Sequence, residues 1–273
     1  MKSPHFSSGF FRVLLGIKKL SIYERKDVIM SENATYATLA LSERLAPNPY
    51  PGRGIVLGKT PNGRYAVFAY FIMGRSDNSR NRVFTREEDG TVRTEPHDVS
   101  RVKDPSLIIY APVRAYANHV VVTNGDQTDT VYEGLKAGLS FSESLRSREF
   151  EPDAPNLTPR ISGILHFGEN DFTYEMSILK SADPEGTACN RFTYDYAPIA
   201  GLGHFIHTYM GDGNPLPTFA GEPERVFMVD DIDVFTKEIW ENLDKDNKIS
   251  LIVRYYDLAD GKFDERLINK YTK

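Results

Sequence analysis

Apolar positions along the chain fall into two patterns. Short, β-branched or alternating runs predict strands at residues 54–58, 64–73, 106–110 and 119–123. Asn62-Gly63 between the first two is a hairpin signal. Residues 160–167 and 172–179 predict a strand pair about the polar turn 168–171, and strands are also predicted at 191–196, 225–229 and 249–256. Two stretches follow helical spacing. Val131, Leu135 and Leu139 recur on one face, and Ser140 with Glu143 then forms a capping-box pattern ahead of Leu145. Ile232, Phe235, Ile239 and Leu243 share the apolar face of a helix over 231–243. Strands and helices mix without strict βαβ alternation, which predicts an α+β fold with largely antiparallel, stacked sheets covered by helices. No low-complexity linker divides the chain, so residues 30–273 are expected to form one domain.

Composition narrows the class. The 273 residues are 40% hydrophobic and 26% charged, as in ordinary globular proteins, and the net charge of −5 argues against a nucleic-acid partner. That charge is unevenly spread. Residues 230–247 carry a balance of −5, whereas residues 74–86 hold four arginines and one aspartate. No apolar run is long enough to span a membrane. Residues 1–29 mix an Arg-interrupted apolar stretch with lysines and arginines and show no clear signal-peptide pattern. They are expected to be an extension, with Met30 a natural start. The single Cys189 allows no intramolecular disulfide and points to a reducing cytoplasm.

Four polar segments are candidates for chemistry. The loop after the long strand holds Arg75, Arg80 and Arg82, whose forked guanidinium groups suit phosphate oxygens, although a loop of surface ion pairs has the same composition. Residues 123–129, Thr-Asn-Gly-Asp-Gln-Thr-Asp, join a strand to a helix. Thr128 or Asp129 is expected to cap that helix, which leaves Asn124, Asp126 and Gln127 together unexplained. Residues 151–160 carry three prolines, a stiff loop able to present Glu151 and Arg160 or a plain connector. His204 and His207 lack the spacing and companions of a metal site and are expected to be strand residues. No metal is called for, and no Walker, dinucleotide or Gly-x-Ser-x-Gly pattern occurs.

Taken in order, residues 52–58, Arg75 with Arg80-Asn81-Arg82, residues 123–129 and residues 157–161 resemble the archaeal-type IMP cyclohydrolases and their bacterial relatives. Residues 211–217 are also similar to the bacterial relatives. The resemblance implies a four-layer αββα sandwich like that of the N-terminal-nucleophile hydrolases, here without an N-terminal nucleophile. It implies closure of the second purine ring: 5-formamidoimidazole-4-carboxamide ribonucleotide loses water and becomes IMP, with no cofactor. By position, Arg75 and either Arg80 or Arg82 would hold substrate, and Tyr110 would donate to the formyl oxygen. Glu151 would transfer protons, with Asp153 as its fallback across a one-residue gap. Asn124, Thr128, Asp129 and Arg160 would be further binding residues. A homo-oligomer, tetrameric in the family, is the expected assembly. Both ends of this chain are longer than in the compact archaeal form. The alternatives are an amide or amidine hydrolase on the same fold and a non-catalytic nucleotide-binding protein.

Overall fold

The computed structural model describes residues 36–102 and 109–271. The expected extension at residues 1–29, and residues 106–108 of one predicted strand, lie outside the described residues. In chain order the elements are α1 (Leu41–Leu45), β1 (Arg53–Lys59), β2 (Tyr65–Met73), α2 (Asp77–Arg80), β3 (Val83–Arg86), β4 (Val92–Glu95), β5 (Val113–Tyr116) and β6 (His119–Thr123). Then come α3 (Gln127–Lys136), α4 (Phe141–Ser144), β7 (Arg160–Phe167), β8 (Phe172–Ser181), β9 (Cys189–Tyr196), β10 (Leu202–His207), β11 (Glu224–Phe227), α5 (Ile232–Asn242), β12 (Lys248–Asp257) and β13 (Phe263–Asn269). Residues 38–273 form one contact unit.

The strands build two antiparallel sheets, ordered β11-β10-β1-β2-β12-β13 and β3-β4-β5-β6-β7-β8-β9. The fold is therefore mixed α+β, as the pattern predicts. β2 shows why its sequence is a continuous apolar run instead of an alternating one. Ala66, Phe68, Tyr70 and Ile72 face the second sheet, packing with Val120, Val122, Ile161 and Leu165. Val67, Ala69, Phe71 and Met73 face the opposite way, into a second core with Leu41, Phe235 and Ile239. A strand covered on both faces has no solvent side for polar residues. On the far side of the second sheet, Val121 and Ile164 pack with Val131, Phe141 and Leu145. The order across the molecule is thus helix, sheet, sheet, helix.

Local chemistry sets the element ends. Asp231 caps α5 by accepting from the backbone N–H of Asp233 and Val234 at 2.8 and 3.1 Å. Ser140 and Glu143 form the predicted capping box at α4. The expectation for α3 is corrected: the helix begins at Gln127 behind Asp126, with no side-chain cap. Thr128 lies inside it, its hydroxyl bonded to Thr123 Oγ1 at 2.6 Å, and Asp129 turns outward to Arg114 at 2.7 Å. Tyr110 is likewise not in a strand, although its backbone N–H donates to Thr94 Oγ1 at 2.9 Å and its carbonyl accepts from the Thr94 N–H at 2.9 Å.

Candidate active site

A cavity of about 250 Å³ opens where the start of β1, the turn after β2 and the loop before β7 meet. It is lined by Arg53, Arg75 and Arg82, by Glu151 and Asp153, and by Tyr50 and Tyr209, among others. Such convergence of loops from two sheets is a common place for a site, because the strands fix what the loops present.

Arg82 is 1% exposed. Its Nε donates to the Ser79 carbonyl in α2 at 2.8 Å and Nη2 to the Met73 carbonyl at the end of β2 at 3.3 Å. Ser76 caps α2 by accepting from the Ser79 N–H at 3.1 Å. Nη1 of Arg82 is buried with no hydrogen-bond partner among the described residues, and so are Arg53 Nε and Asn78 Oδ1. Buried polar atoms are almost always paired, so three unpaired atoms on residues that line one cavity single it out as the candidate site. Burial and the neighbouring Arg53 charge lower the Arg82 pKa. At Arg53 burial also opposes the charge, but Glu151 and the surrounding tyrosines outweigh it, and the pKa is raised.

Glu151 is 7% exposed. Its backbone N–H donates to the Thr158 carbonyl at 2.8 Å, closing the proline-rich loop upon itself. Burial pushes its carboxyl above the usual carboxylate range, against the pull of Arg53 and Arg160. Behind it lies a fully bonded cluster. Asn124 donates to the Pro159 carbonyl at 2.9 Å and accepts from the Ile161 N–H and Gln127 Nε2, each at 2.9 Å. Arg160 donates to Asp126 and Gln127, both at 2.8 Å, and Arg148 also bonds Asp126. Gly125 leaves room for this cluster, since a Cβ there would stand 2.6 Å from Arg160 Nη1 and from Gln127 Oε1.

On the other wall Tyr209 stacks on Tyr50 at 5.9 Å, and Arg75 lies 5.0 Å over the Tyr50 ring. Arg75 also bonds Asp212 and the Gly213 carbonyl, the latter at 2.9 Å. The Tyr209 hydroxyl meets Thr158 Oγ1 at 2.6 Å, and Thr158 in turn bonds Asp153. Burial pushes the Tyr209 pKa up to about 12. Gly52, at φ +78°, admits the Tyr209 ring, which a Cβ would meet at 2.6 Å.

Of the residues expected from sequence, Arg75, Arg82, Glu151 and its fallback Asp153 come together at the cavity. The others do not line it. Arg80 donates to the Gly74 carbonyl and Asn247 Oδ1, both at 3.1 Å, clamping the turn. Asn124, Thr128 and Arg160 are bonded inside the cluster behind Glu151, and Asp129 is on the surface. Tyr110 is 5% exposed and bonds the Tyr70 hydroxyl at 2.9 Å. Sequence reading missed Arg53, Tyr50, Tyr209 and Asn78. Arg53 alone carried a signal: a single charge between Gly52 and Gly54 at the mouth of an apolar strand. Among the described residues no group of three His, Cys, Asp or Glu is placed to hold a metal, and no helix is long and apolar enough to cross a membrane. His204 and His207 lie buried in β10, His204 bonded to the Tyr174 hydroxyl at 2.7 Å.

Comparison with known proteins agrees with the resemblance. A family described as "IMP cyclohydrolase-like protein" matches residues 50–262. An IMP cyclohydrolase of Methanococcus maripaludis is 32% identical over 168 residues, 56% of this chain and 82% of the archaeal one. One of Methanococcus aeolicus is 33% identical over 165 residues, 59% of this chain and 74% of the relative. For the enzyme of a second M. maripaludis strain the figures are 36% over 120 residues, 42% and 58%. The match covers every strand except β13 and every cavity residue named above, and the chain belongs to the IMP cyclohydrolase-like family.

Proposed function

We propose that this chain is an IMP cyclohydrolase. It closes 5-formamidoimidazole-4-carboxamide ribonucleotide to IMP with loss of water. The observation that carries the reading is the pairing of unfilled guanidinium donors, Arg53 Nε and Arg82 Nη1, with a buried Glu151 whose proton is held more tightly than usual. The donors suit an anion or a developing oxyanion, and the carboxyl suits proton delivery.

Within one bound molecule the carboxamide nitrogen attacks the formyl carbon, so holding the reactive conformer supplies much of the rate. Arg75, at the cavity rim, takes the phosphate. Arg53 and Arg82, deeper and unfilled, face the formyl oxygen as charge builds on it. Glu151 gives that oxygen its proton. Tyr110, held by its bond to the Tyr70 hydroxyl, supports the site from outside the cavity lining. Arg80, Asn124, Thr128, Asp129 and Arg160 hold the turn and the loop in place. The chemistry asks for no cofactor. The helix-sheet-sheet-helix order supports the likeness to N-terminal-nucleophile hydrolases, with residues 30–273 as the functional domain and residues 1–29 as an extension. A cytoplasmic setting and a tetramer complete the reading, and sedimentation velocity measures the assembly.

A purely nucleotide-binding protein needs the arginines but gains nothing from burying Glu151 beside them. The test is to mix purified protein with the formamido ribonucleotide and follow IMP by absorbance. IMP formation well above the spontaneous rate is expected. Tight IMP binding without turnover would establish the binding protein instead.

A further inference from the structure

Three cavity residues form a chain of hydroxyls that the ring closure outlined above leaves partly unused. Thr158 Oγ1 bonds Asp153 Oδ2, and the Thr158 backbone N–H donates to Asp153 Oδ1 at 2.6 Å. The Tyr209 hydroxyl lies 2.6 Å from Thr158 Oγ1. The direction of these bonds follows from valence. A carboxylate only accepts, so the single hydroxyl proton of Thr158 goes to Asp153. Thr158 then has none left for Tyr209, and Tyr209 must donate to Thr158. The proton of Tyr209 therefore points inward. Its remaining lone pairs are left for the cavity, where an unaided phenol would offer a donor. The Tyr209 ring cannot swing away, because it stacks on Tyr50 and fills the space left by Gly52.

We propose that Tyr209, Thr158 and Asp153 are a proton relay that deprotonates the attacking carboxamide nitrogen, Tyr209 being the residue that touches substrate and Thr158 and Asp153 acting through it. This inference rests on the cyclohydrolase reading of the site. As the nitrogen–carbon bond forms, the carbonyl π pair moves to the formyl oxygen, which takes the proton of Glu151. The amide N–H proton passes to the Tyr209 oxygen, the Tyr209 proton to Thr158, and the Thr158 proton to Asp153. The relay is now reversed, with a Tyr209 O–H aimed into the cavity. On collapse the formamido N–H proton returns to Glu151 and the carbon–oxygen bond breaks. The leaving hydroxyl takes the Tyr209 proton and departs as water, while Thr158 and Asp153 hand theirs back. Two protons leave nitrogen, two reach oxygen, and the protein ends as it began.

The relay separates two variants that a structural role would not. Thr158→Val keeps the shape and the backbone N–H to Asp153 but breaks the chain of hydroxyls. Thr158→Ser keeps the chain and removes a methyl group. With the full-length protein and the formamido ribonucleotide, Thr158→Val is expected to lower kcat by about 100-fold with KM within about twofold, and Thr158→Ser to restore most of it. Rates in mixtures of light and heavy water should depend non-linearly on deuterium content for wild type and Thr158→Ser, as when several protons move together, and linearly for Thr158→Val. Tyr209→Phe asks the same question should Thr158→Val fold poorly. Wild-type kcat in Thr158→Val or Tyr209→Phe, or equal losses in Thr158→Val and Thr158→Ser, would overturn the relay while leaving IMP formation by wild type, and hence the proposed function, intact. A wild type that forms no IMP would overturn both.

Discussion

At the scale of single residues, the site is organised by what burial does to charge. Glu151 is the clearest case, because burial favours its neutral form. A carboxyl whose pKa is raised on folding binds more protons folded than unfolded, so its contribution to stability declines as pH rises through the window between the two values. Glu151→Gln, which stays neutral, is expected to raise the thermal midpoint above wild type at neutral pH and to lose that advantage near pH 4. Melts across that range measure it. Turnover that needs protonated Glu151 should fall on the alkaline side of the same raised pKa, a limb absent in Glu151→Gln. Arg82 makes a second prediction. Arg82→Met keeps much of the volume and removes the unfilled donor, and should weaken ribonucleotide binding by about 2 kcal/mol, or about 30-fold, in a calorimetric titration. Sequence gave Glu151 and Arg82 through motif order. It could not give Tyr209 or Asn78, whose role depends on which strand end they meet across the fold, something no local pattern records.

At the scale of elements, the strands with apolar runs and the helices with a strong apolar face were legible, because their periodicity reports the core directly. β1, β2, β6, β7, β8, β12 and α5 all appear within a few residues of the expected bounds. The short strands β3, β4, β5 and β13 were not, since half or more of their positions are not buried and the runs are too short or too polar to show a clear apolar pattern. The cap of α3 misled for a physical reason: Thr128 and Asp129 have the right residue types, but both side chains are taken by other partners. The cap of α4 does what the sequence says, with Ser140 and Glu143 bonding each other's backbone N–H. Ser140→Ala should therefore cost about 1 kcal/mol in a denaturant titration, with little change in kcat, since α4 lines no part of the cavity.

At the scale of the whole molecule, the two sheets share one apolar interior, and the cavity opens at one end of it. Close strand packing sets the position of Arg53. A Cβ at Gly54 would lie 2.3 Å from Phe71 Cζ and 2.7 Å from Phe205 Cε2, so β1 can seat itself only with glycine there. Gly54→Ala is expected to lower stability by about 1–3 kcal/mol through overpacking, and to lower activity as Arg53 shifts. Denaturant titration and the IMP assay measure the two effects separately. Stacked sheets covered by helices were legible from the pattern, but not which strand faces meet a helix and which a sheet, because β2 and β12 carry apolar residues on both faces. The account as a whole rests on one claim, that ring closure takes place in this cavity with Glu151 as its acid. The direct measurement is steady-state conversion of the formamido ribonucleotide to IMP by wild type and by Glu151→Gln, both shown to be folded by their thermal midpoints. The account predicts rapid IMP formation by wild type and a loss of at least about 100-fold in kcat for Glu151→Gln. Equal turnover by the two proteins would contradict it.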